Sequence, residues 1–326
     1  MAKKIGFIDY YLDEWHANNY PAWIEKASAG AYTVAYAYGK IDSPLGGRTT
    51  EKWCADMGVE RCGSIDELIE KSDCIIVLSP DNPEQHWALC QKPLRCGKRV
   101  YVDKTFAPTA QIARDLFALA AENGTPMYSS SALRFSKELA ELPDKDVRFV
   151  LLSGPGKPEN YLIHQIEPMV ALLRARAVRV LYAGVEGAAS YTVEFEGGKL
   201  GVANLLVEGP FQTTVKFADG TVAPIADSTE TFDRLIAGMV RFFETGALAV
   251  GEAVRWAEEQ GASPFGVVRE LHKTHIFTHI RWEMTGYVLD CAERPERFTW
   301  ADAAALVETY ALPTAFRMFL EELEEK

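Results

Sequence analysis

The fold is decided by residues 72–135, which read SDCIIVLSPDNPEQHWALCQKPLRCGKRVYVDKTFAPTAQIARDLFALAAENGTPMYSSSALRF. Two mainly apolar runs within this stretch, at 74–78 and 99–102, are typical of strands buried on both faces of a parallel sheet. Helices are predicted after each of them, at 83–94 and 108–122. Strands that alternate with helices in this way predict an α/β domain built on a doubly wound parallel sheet.

Lys104 follows the second of these strands, in the turn Asp103-Lys104-Thr105. In open α/β sheets, ligands bind at the carboxyl ends of the strands. Lys104 is therefore expected at the mouth of a binding site. The plainer alternative is a solvated lysine in a surface turn, where most lysines lie.

Two blocks of residues follow an order found in a known family. The first block consists of Pro80, His86, Gly97-Lys98-Arg99-Val100, Asp103-Lys104-Thr105 and Arg134. The second is Asn160-Tyr-Leu-Ile-His164-Gln-Ile-Glu167, where the family has an aspartate four residues before a histidine and another three residues after it. On these blocks the chain resembles the glucose–fructose oxidoreductase / inositol dehydrogenase (Gfo/Idh/MocA-type) family, over roughly residues 1–245.

The resemblance implies an NAD(P)-dependent oxidoreductase that acts on a sugar, polyol or related hydroxy or carbonyl compound. It implies that the nicotinamide of NAD or NADP lies over Lys104, and that His164 is the general acid/base, a task that suits an imidazole with a pKa near 6.5. The residues placed against the substrate are Arg134, Asn160, Tyr161 and His164. The residues placed at the cofactor are Asp9, Tyr10, Tyr11, Tyr38, Lys40, Ser79, Pro80, His86, Asp103 and Lys104.

Plainer roles are open for three of these side chains. His164 also suits a hydrogen-bonded core histidine, His86 a structural role beside Pro80, and Arg134 an ion pair with a neighbouring acid. Asn160 stands where the family has an aspartate, and an amide cannot hold a protonated imidazole as a carboxylate does.

The dinucleotide fingerprint GxGxxG is degenerate in this chain. Its glycines let the backbone approach a pyrophosphate that rests on a helix N-terminus, yet Asp9, Tyr11 and Glu14 occupy those three positions. An aspartate there repels a diphosphate unless it is protonated or turned away. Lys40 or Arg48 could accept the 2′-phosphate of NADP, although a lysine in a loop is usually a solvated side chain.

Composition narrows the class of partner. The 326 residues carry a net charge of −12, which argues against a nucleic-acid surface and against binding to anionic membranes. No run approaches the roughly 18 apolar residues of a membrane helix. The six cysteines show no CxxC pair or disulfide framework, and the N-terminus lacks a signal-peptide pattern, so we expect a cytoplasmic protein with a small-molecule substrate.

Beyond residue 135 the pattern changes to successive strands at 147–153 and between 179 and 223, several of which alternate apolar and polar residues. This predicts an α+β domain with a largely antiparallel open sheet, through which the chain pairs as a homodimer or homotetramer. We therefore expect a Rossmann-type domain at 1–135 and a substrate and oligomerisation domain at 136–326, with a helical insertion or extension at about 247–298.

A histidine-rich helix is predicted within that insertion. His272, His275, His279 and Glu283 share one face at spacings of three, four and four, which permits a metal site as a minor alternative. Two alternatives to a dehydrogenase stay open. One is metal-dependent chemistry at this helix, and the other is a repurposed ligand-binding or assembly protein that has lost dinucleotide binding.

Overall fold

The computed structural model describes residues 2–143, 145–175 and 177–245. The described chain forms two compact units. The first contains the residues up to Ser130 and those from Ile236 onward, and the second is Ser131–Leu235. Within the described residues, no helix combines the length and the hydropathy that crossing a membrane requires.

The first unit is built on six parallel strands in the order β3-β2-β1-β4-β5-β6, as the alternating sequence pattern predicts. This is the order of a doubly wound sheet whose direction of winding reverses between β1 and β4. The strands are β1 (Lys3–Asp9), β2 (Tyr32–Gly39), β3 (Glu60–Arg61), β4 (Cys74–Val77), β5 (Arg99–Val102) and β6 (Met127–Tyr128). Every residue of β4 is buried, which confirms the interpretation of its unbroken apolar run.

Helices connect these strands in the described part of the first unit. They are α1 (Trp15–Ala27), α2 (Thr50–Met57), α3 (Ile65–Lys71), α4 (His86–Cys90) and α5 (Ala110–Glu122). The single helix predicted at 83–94 is wrong in detail, because short 3₁₀ turns at Pro83–Gln85 and Pro93–Arg95 flank α4. Proline lacks the amide proton that a continuing helix needs, so Pro93 cannot donate to the carbonyl oxygen of Leu89 and the α-helix does not continue through it.

The second unit contains a six-stranded mixed sheet in the order β12-β11-β7-β10-β9-β8. Only β7 and β10 pair in parallel within this described sheet, so the prediction of a largely antiparallel sheet is confirmed. Its strands are β7 (Val147–Gly154), β8 (Ala177–Val185), β9 (Ala188–Phe195), β10 (Lys199–Leu206), β11 (Gln212–Phe217) and β12 (Val222–Ile225). The accompanying helices are α6 (Lys137–Ala140) and α7 (Pro158–Leu173).

One face of this sheet holds the core of the second unit. Val150 and Leu152 of β7 and Ala203 of β10 are fully buried against Met169 and Leu173 of α7. A β-carbon on Gly201 would come within 2.3 Å of the Met169 sulfur, so glycine allows α7 to approach β10 this closely. The apolar face of α7 is therefore fixed against the sheet.

The last described helix, α8 (Thr231–Thr245), brings the chain back to the first unit. The ring of Phe242 lies 5.7 Å from that of Tyr128, and the ring of Phe243 lies 6.0 Å from that of Tyr32. Arg99 donates a hydrogen bond to the carbonyl oxygen of Phe243. These contacts attach the end of the helix to the first sheet.

Candidate functional site

The carboxyl ends of β1, β4 and β5 meet at one edge of the first sheet. Leu78 N donates to Ile8 O at 2.8 Å, and Asp103 N donates to Val77 O at 2.9 Å, so the segments that leave these strands stay side by side. We call Asp9, Ser79, Asp103 and Lys104, which follow or end these strands, the strand-end site. The topology that was expected to place Lys104 at such an edge is present.

Asp9 is buried and turned toward the loop after β4. Its Oδ1 accepts hydrogen bonds from Ser79 Oγ at 2.8 Å and from Tyr10 N at 2.6 Å. Burial raises the pKa of this carboxyl well above its usual range, and the negative charge of Glu14 raises it further. Asp9 therefore holds its proton to a higher pH than an ordinary aspartate does.

Ser79 has a left-handed backbone, with φ of 72°, which is uncommon for a residue other than glycine. Its hydroxyl donates to Asp9 and also lies 2.9 Å from Tyr10 N. The loop after β4 is thus joined to the loop after β1 by a hydroxyl, a carboxyl group and one amide. Pro80, next along this loop, is also buried.

Lys104 is buried, with 6% of its surface exposed, so it is not the solvated turn lysine of the plainer reading. Its Nζ lies 3.7 Å from Oδ1 of Asp81, and its backbone N donates to Oδ1 of Asp103 at 2.8 Å. Asp103 is itself buried and accepts a second hydrogen bond from the hydroxyl of Tyr101 at 3.2 Å. A buried ammonium held over a strand end is suited to bind a polar ligand or to exchange a proton.

The N-terminus of α1 is capped by Glu14, which stands at the third glycine position of the fingerprint. The Glu14 carboxylate accepts from His16 N at 2.8 Å and from Ala17 N, while Oε2 lies 3.0 Å from His16 Nδ1. Burial lowers the pKa of His16, but the negative charges of Asp103 and Glu14 outweigh it and leave a net increase. Sequence reasoning missed both roles.

His86 bridges two loops of the first unit. Its Nδ1 lies 2.9 Å from the carbonyl oxygen of Phe106, and its Nε2 lies 2.5 Å from that of Leu78. Burial lowers the pKa of the ring, which the two carbonyl oxygens only partly offset. This geometry matches the structural role that was one of the two readings of His86.

The two candidate cations for a 2′-phosphate are both engaged. Lys40 donates to Oε1 of Gln85 at 2.8 Å, and its Nζ lies 5.7 Å from the centre of the Tyr10 ring. Arg48 donates to the carboxylate of Asp13 at 2.6 and 3.0 Å and holds the pKa of that carboxyl at about 2. Tyr38 is half-buried at the end of β2, and Tyr11 is buried after β1.

Three of the four predicted substrate residues share the first turns of α7. His164 is half-buried, its ring 5.5 Å from that of Tyr161 and 6.0 Å from that of Phe211. Asn160, one turn before His164, is also half-buried. A β-carbon on Gly156, whose φ is +89°, would approach the Tyr161 ring to 2.3 Å, so this glycine lets the ring pack there.

Arg134, the fourth, has a fully buried side chain. Its Nη1 lies 3.8 Å from Oε1 of Glu167, which also accepts from Ser131 N at 2.8 Å through Oε2. The guanidinium therefore pairs with an acid of the same unit. This matches the plainer of the two readings of Arg134.

The predicted histidine face of His272, His275, His279 and Glu283 lies outside the described residues, as does the insertion at about 247–298. Within the described part of the chain, no three histidine, cysteine, aspartate or glutamate side chains are placed to hold a metal ion.

The strand-end site and the two units define a class: proteins with an NAD-binding type of Rossmann fold followed by an open mixed sheet. Residues 45–130 match an oxidoreductase family with an NAD-binding Rossmann fold, Gfo/Idh/MocA. Over these residues the resemblance read from the sequence is confirmed. The match includes Lys104, Ser79 and His86, and begins after the loop that contains Asp9 and Glu14.

Individual proteins are similar to this chain in sequence or in fold. The chain is 32% identical over 130 residues to the uncharacterized oxidoreductase YhhX of Escherichia coli K12, a match that covers 33% of this chain and only 38% of YhhX. The solved structure of UDP-N-acetylglucosamine 3-dehydrogenase GnnA from Acidithiobacillus ferrooxidans has a TM-score of 0.60 at 15% identity, covering 93% of this chain and 99% of GnnA.

A third similar structure carries a bound cofactor. The WlbA dehydrogenase from Thermus thermophilus, in complex with NAD and UDP-GlcNAcA, has a TM-score of 0.57 at 17% identity, covering 76% of this chain and 89% of WlbA. At these identities the solved structures show that the fold is shared.

Proposed function

We propose that the protein is an NAD(P)-dependent oxidoreductase acting on a sugar, polyol or related hydroxy or carbonyl compound. The observation that carries the proposal is Lys104, a buried ammonium at the end of β5 inside the segment that matches an NAD-binding oxidoreductase family. Desolvating an ammonium costs several kcal/mol, so its burial at the edge where ligands bind favours a role in binding.

The residues fit the two halves of a dinucleotide unequally. The strand-end site fits the nicotinamide half, because Lys104 supplies a cation there and Asp9 is turned away and favoured in its protonated form. The N-terminus of α1 does not fit a diphosphate, because Glu14 already accepts from its first amides. The glycines that would let a phosphate approach are replaced by Asp9, Tyr11 and Glu14.

A bound nicotinamide supplies hydride transfer, and the chain manages orientation and protons. In this proposal Lys104 orients the ligand at the strand ends. His164 exchanges the proton of the reacting oxygen, and Asn160 and Tyr161 contact the substrate from the same helix. Arg134 acts through Glu167 to hold α7 in place.

We also propose that the chain forms a homodimer or homotetramer in the cytoplasm through its second sheet. Strand β8 exposes a row of large apolar side chains, Val178, Val180, Leu181, Tyr182 and Val185. These side chains lie on both faces of an edge strand, and exposed apolar side chains along such a strand favour pairing with a second copy of the chain. Tyr182→Lys with Val180→Lys is expected to halve the mass in light scattering without lowering the unfolding temperature; an unchanged mass would reject this interface.

The second candidate function is a ligand-binding or assembly protein without a dinucleotide, and the capping of α1 by Glu14 favours it. The discriminating experiment is a titration of the purified protein with NADH and NADPH, followed by energy transfer from its seven tryptophans. Saturable binding in the micromolar range, lost in Lys104→Met and retained in the exposed control Lys52→Met, supports the oxidoreductase. No binding of either cofactor at millimolar concentration rejects it.

The choice between NAD and NADP is tested by Lys40→Glu in the same titration. Weaker binding of NADPH alone would assign Lys40 to the 2′-phosphate, although its contact with Gln85 must then be given up.

A further inference from the structure

We infer that Glu14 closes the N-terminus of α1 to phosphate, so that a dinucleotide binds this chain in the usual way only when the Glu14 carboxylate leaves the helix. This inference rests on the proposed function, because it concerns the diphosphate of the same cofactor. It assigns to one side chain the control of how tightly that cofactor is held.

Three consecutive amides at the start of α1 are satisfied by Glu14. Its side chain accepts from His16 N and Ala17 N, and its main-chain carbonyl oxygen accepts from Asn18 N at 3.0 Å. The free amides of a first turn are the groups with which a helix binds an anion. The two that a phosphate would need are therefore already occupied by a carboxylate of the chain itself.

The Glu14 side chain is fixed where it lies. Only 8% of it is exposed, and Oε2 is 3.0 Å from Nδ1 of His16, with the raised pKa of His16 favouring an ion pair. A negative charge at a helix N-terminus is also stabilised by the helix dipole. A diphosphate must replace these contacts and would otherwise meet the carboxylate at close range.

Beyond His16, the charged neighbours of Glu14 include acids, which a phosphate site would not carry. Asp103 raises the pKa of both His16 and Asp9, and Glu14 also raises that of Asp9, so these acids lie close together. Arg48, the nearest arginine in the sequence, is paired with Asp13. The loop after β1 thus carries acids where a diphosphate site carries glycines and amides.

Glu14→Ser removes the negative charge but keeps a residue that can cap the helix, because serine is among the preferred N-cap residues and lacks the carboxylate. Glu14→Gln is the second variant, since it keeps the length of the side chain and removes the charge. Glu122→Gln at the exposed end of α5 is the matched control for the loss of one negative charge. Inorganic pyrophosphate, NADH and NADPH are the probes, the first measured by calorimetry and the others by energy transfer.

We expect Glu14→Ser to bind pyrophosphate and both dinucleotides at least ten times more tightly than the wild type, with Glu14→Gln between the two and Glu122→Gln unchanged. Thermal unfolding of each variant shows whether it is folded, and Glu14→Gln carries the test if Glu14→Ser is not. Equal affinity for pyrophosphate in the wild type and both variants overturns the inference, even where dinucleotide binding supports the proposed function. Tighter pyrophosphate binding without dinucleotide binding in any variant supports the inference and rejects the proposed function.

Discussion

Asp9 in the first unit and Glu167 in the second are carboxyl groups buried to the same extent, with 1% and 0% of their surface exposed. Glu167 faces the guanidinium of Arg134 at 3.8 Å. Asp9 has a hydroxyl and an amide as hydrogen-bond donors and the acids Glu14 and Asp103 as charged neighbours. Two equally buried acids thus have different neighbours, a cation for Glu167 and further acids for Asp9.

This difference suggests a structural role for Glu167 and makes Asp9 a candidate for a functional role. A buried ion pair holds two segments of the second unit together, whereas a buried acid favoured in its protonated form is costly and recurs at sites that bind or react. The first unit places such an acid at the end of β1, beside Ser79 and close to the start of α1. Two substitutions test whether the two acids differ as stated, and a third tests the histidine near the start of α1.

The largest effect is expected on removing the cation of the second unit. Arg134→Met leaves Glu167 buried without its counter-ion, which should lower the free energy of unfolding by about 3–5 kcal/mol. Urea denaturation measures this loss, and Arg114→Met on the exposed surface of α5 is the control. The double variant Arg134→Met/Glu167→Met should recover much of the loss, since it removes both charges. A double variant as unstable as Arg134→Met would show that the pair is not what stabilises this region.

A smaller effect of opposite sign is expected from Asp9→Asn. Because the pKa of Asp9 is raised in the folded state, folding is opposed by its ionisation, and stability is lost as the pH rises from the unfolded value near 3.8 through the raised folded value. Asparagine removes this loss. The variant should therefore gain on the order of 1–2 kcal/mol over the wild type at pH 8 and nothing at pH 4, since one unit of pKa shift corresponds to about 1.4 kcal/mol.

Denaturation curves at the two pH values measure this gain. Asp227→Asn, in an exposed loop, should show no such dependence. A gain for Asp9→Asn that is equal at both pH values would contradict a raised pKa.

The smallest effect is expected from His16→Gln. The pKa of His16 is raised above its usual 6.5, so its contribution to stability is fully present below pH 6.5 and disappears as the pH rises through the raised value. The variant should be less stable than the wild type by about 1 kcal/mol at pH 5.5, and the difference should shrink by pH 9. Thermal unfolding between pH 5.5 and pH 9 measures this difference in stability. A difference that grows with pH would contradict a raised pKa for His16.

The strands, and the edge of the sheet at which the candidate site lies, were predictable because both depend on local sequence pattern. An unbroken apolar run such as β4 fits a strand buried on both faces, and parallel strands place their carboxyl ends together. Pro93 indicated that the helix should end, but the helical spacing of the apolar residues around it led to the prediction of one continuous helix. Lys104 was found because a buried strand precedes it and because its neighbours resemble a family.

The charged contacts were less predictable because they depend on tertiary placement. Arg134 and Glu167 lie far apart in the sequence, so no local pattern identifies them as partners. Glutamate is not among the usual N-cap residues, and so the capping by Glu14 was not expected. The left-handed backbone of Ser79, which directs its hydroxyl at Asp9, also has no signature in the residue types.

The return of α8 to the first unit has a consequence for synthesis on the ribosome. Tyr32 and Tyr128 emerge early, whereas Phe242 and Phe243, which pack against them, emerge only after residues 131–235. At about 5–20 residues per second, the first unit waits roughly 5–20 s for these aromatic contacts. During that interval the nascent chain exposes an aromatic surface that the finished protein covers, and this is the stage at which a chaperone has most to protect.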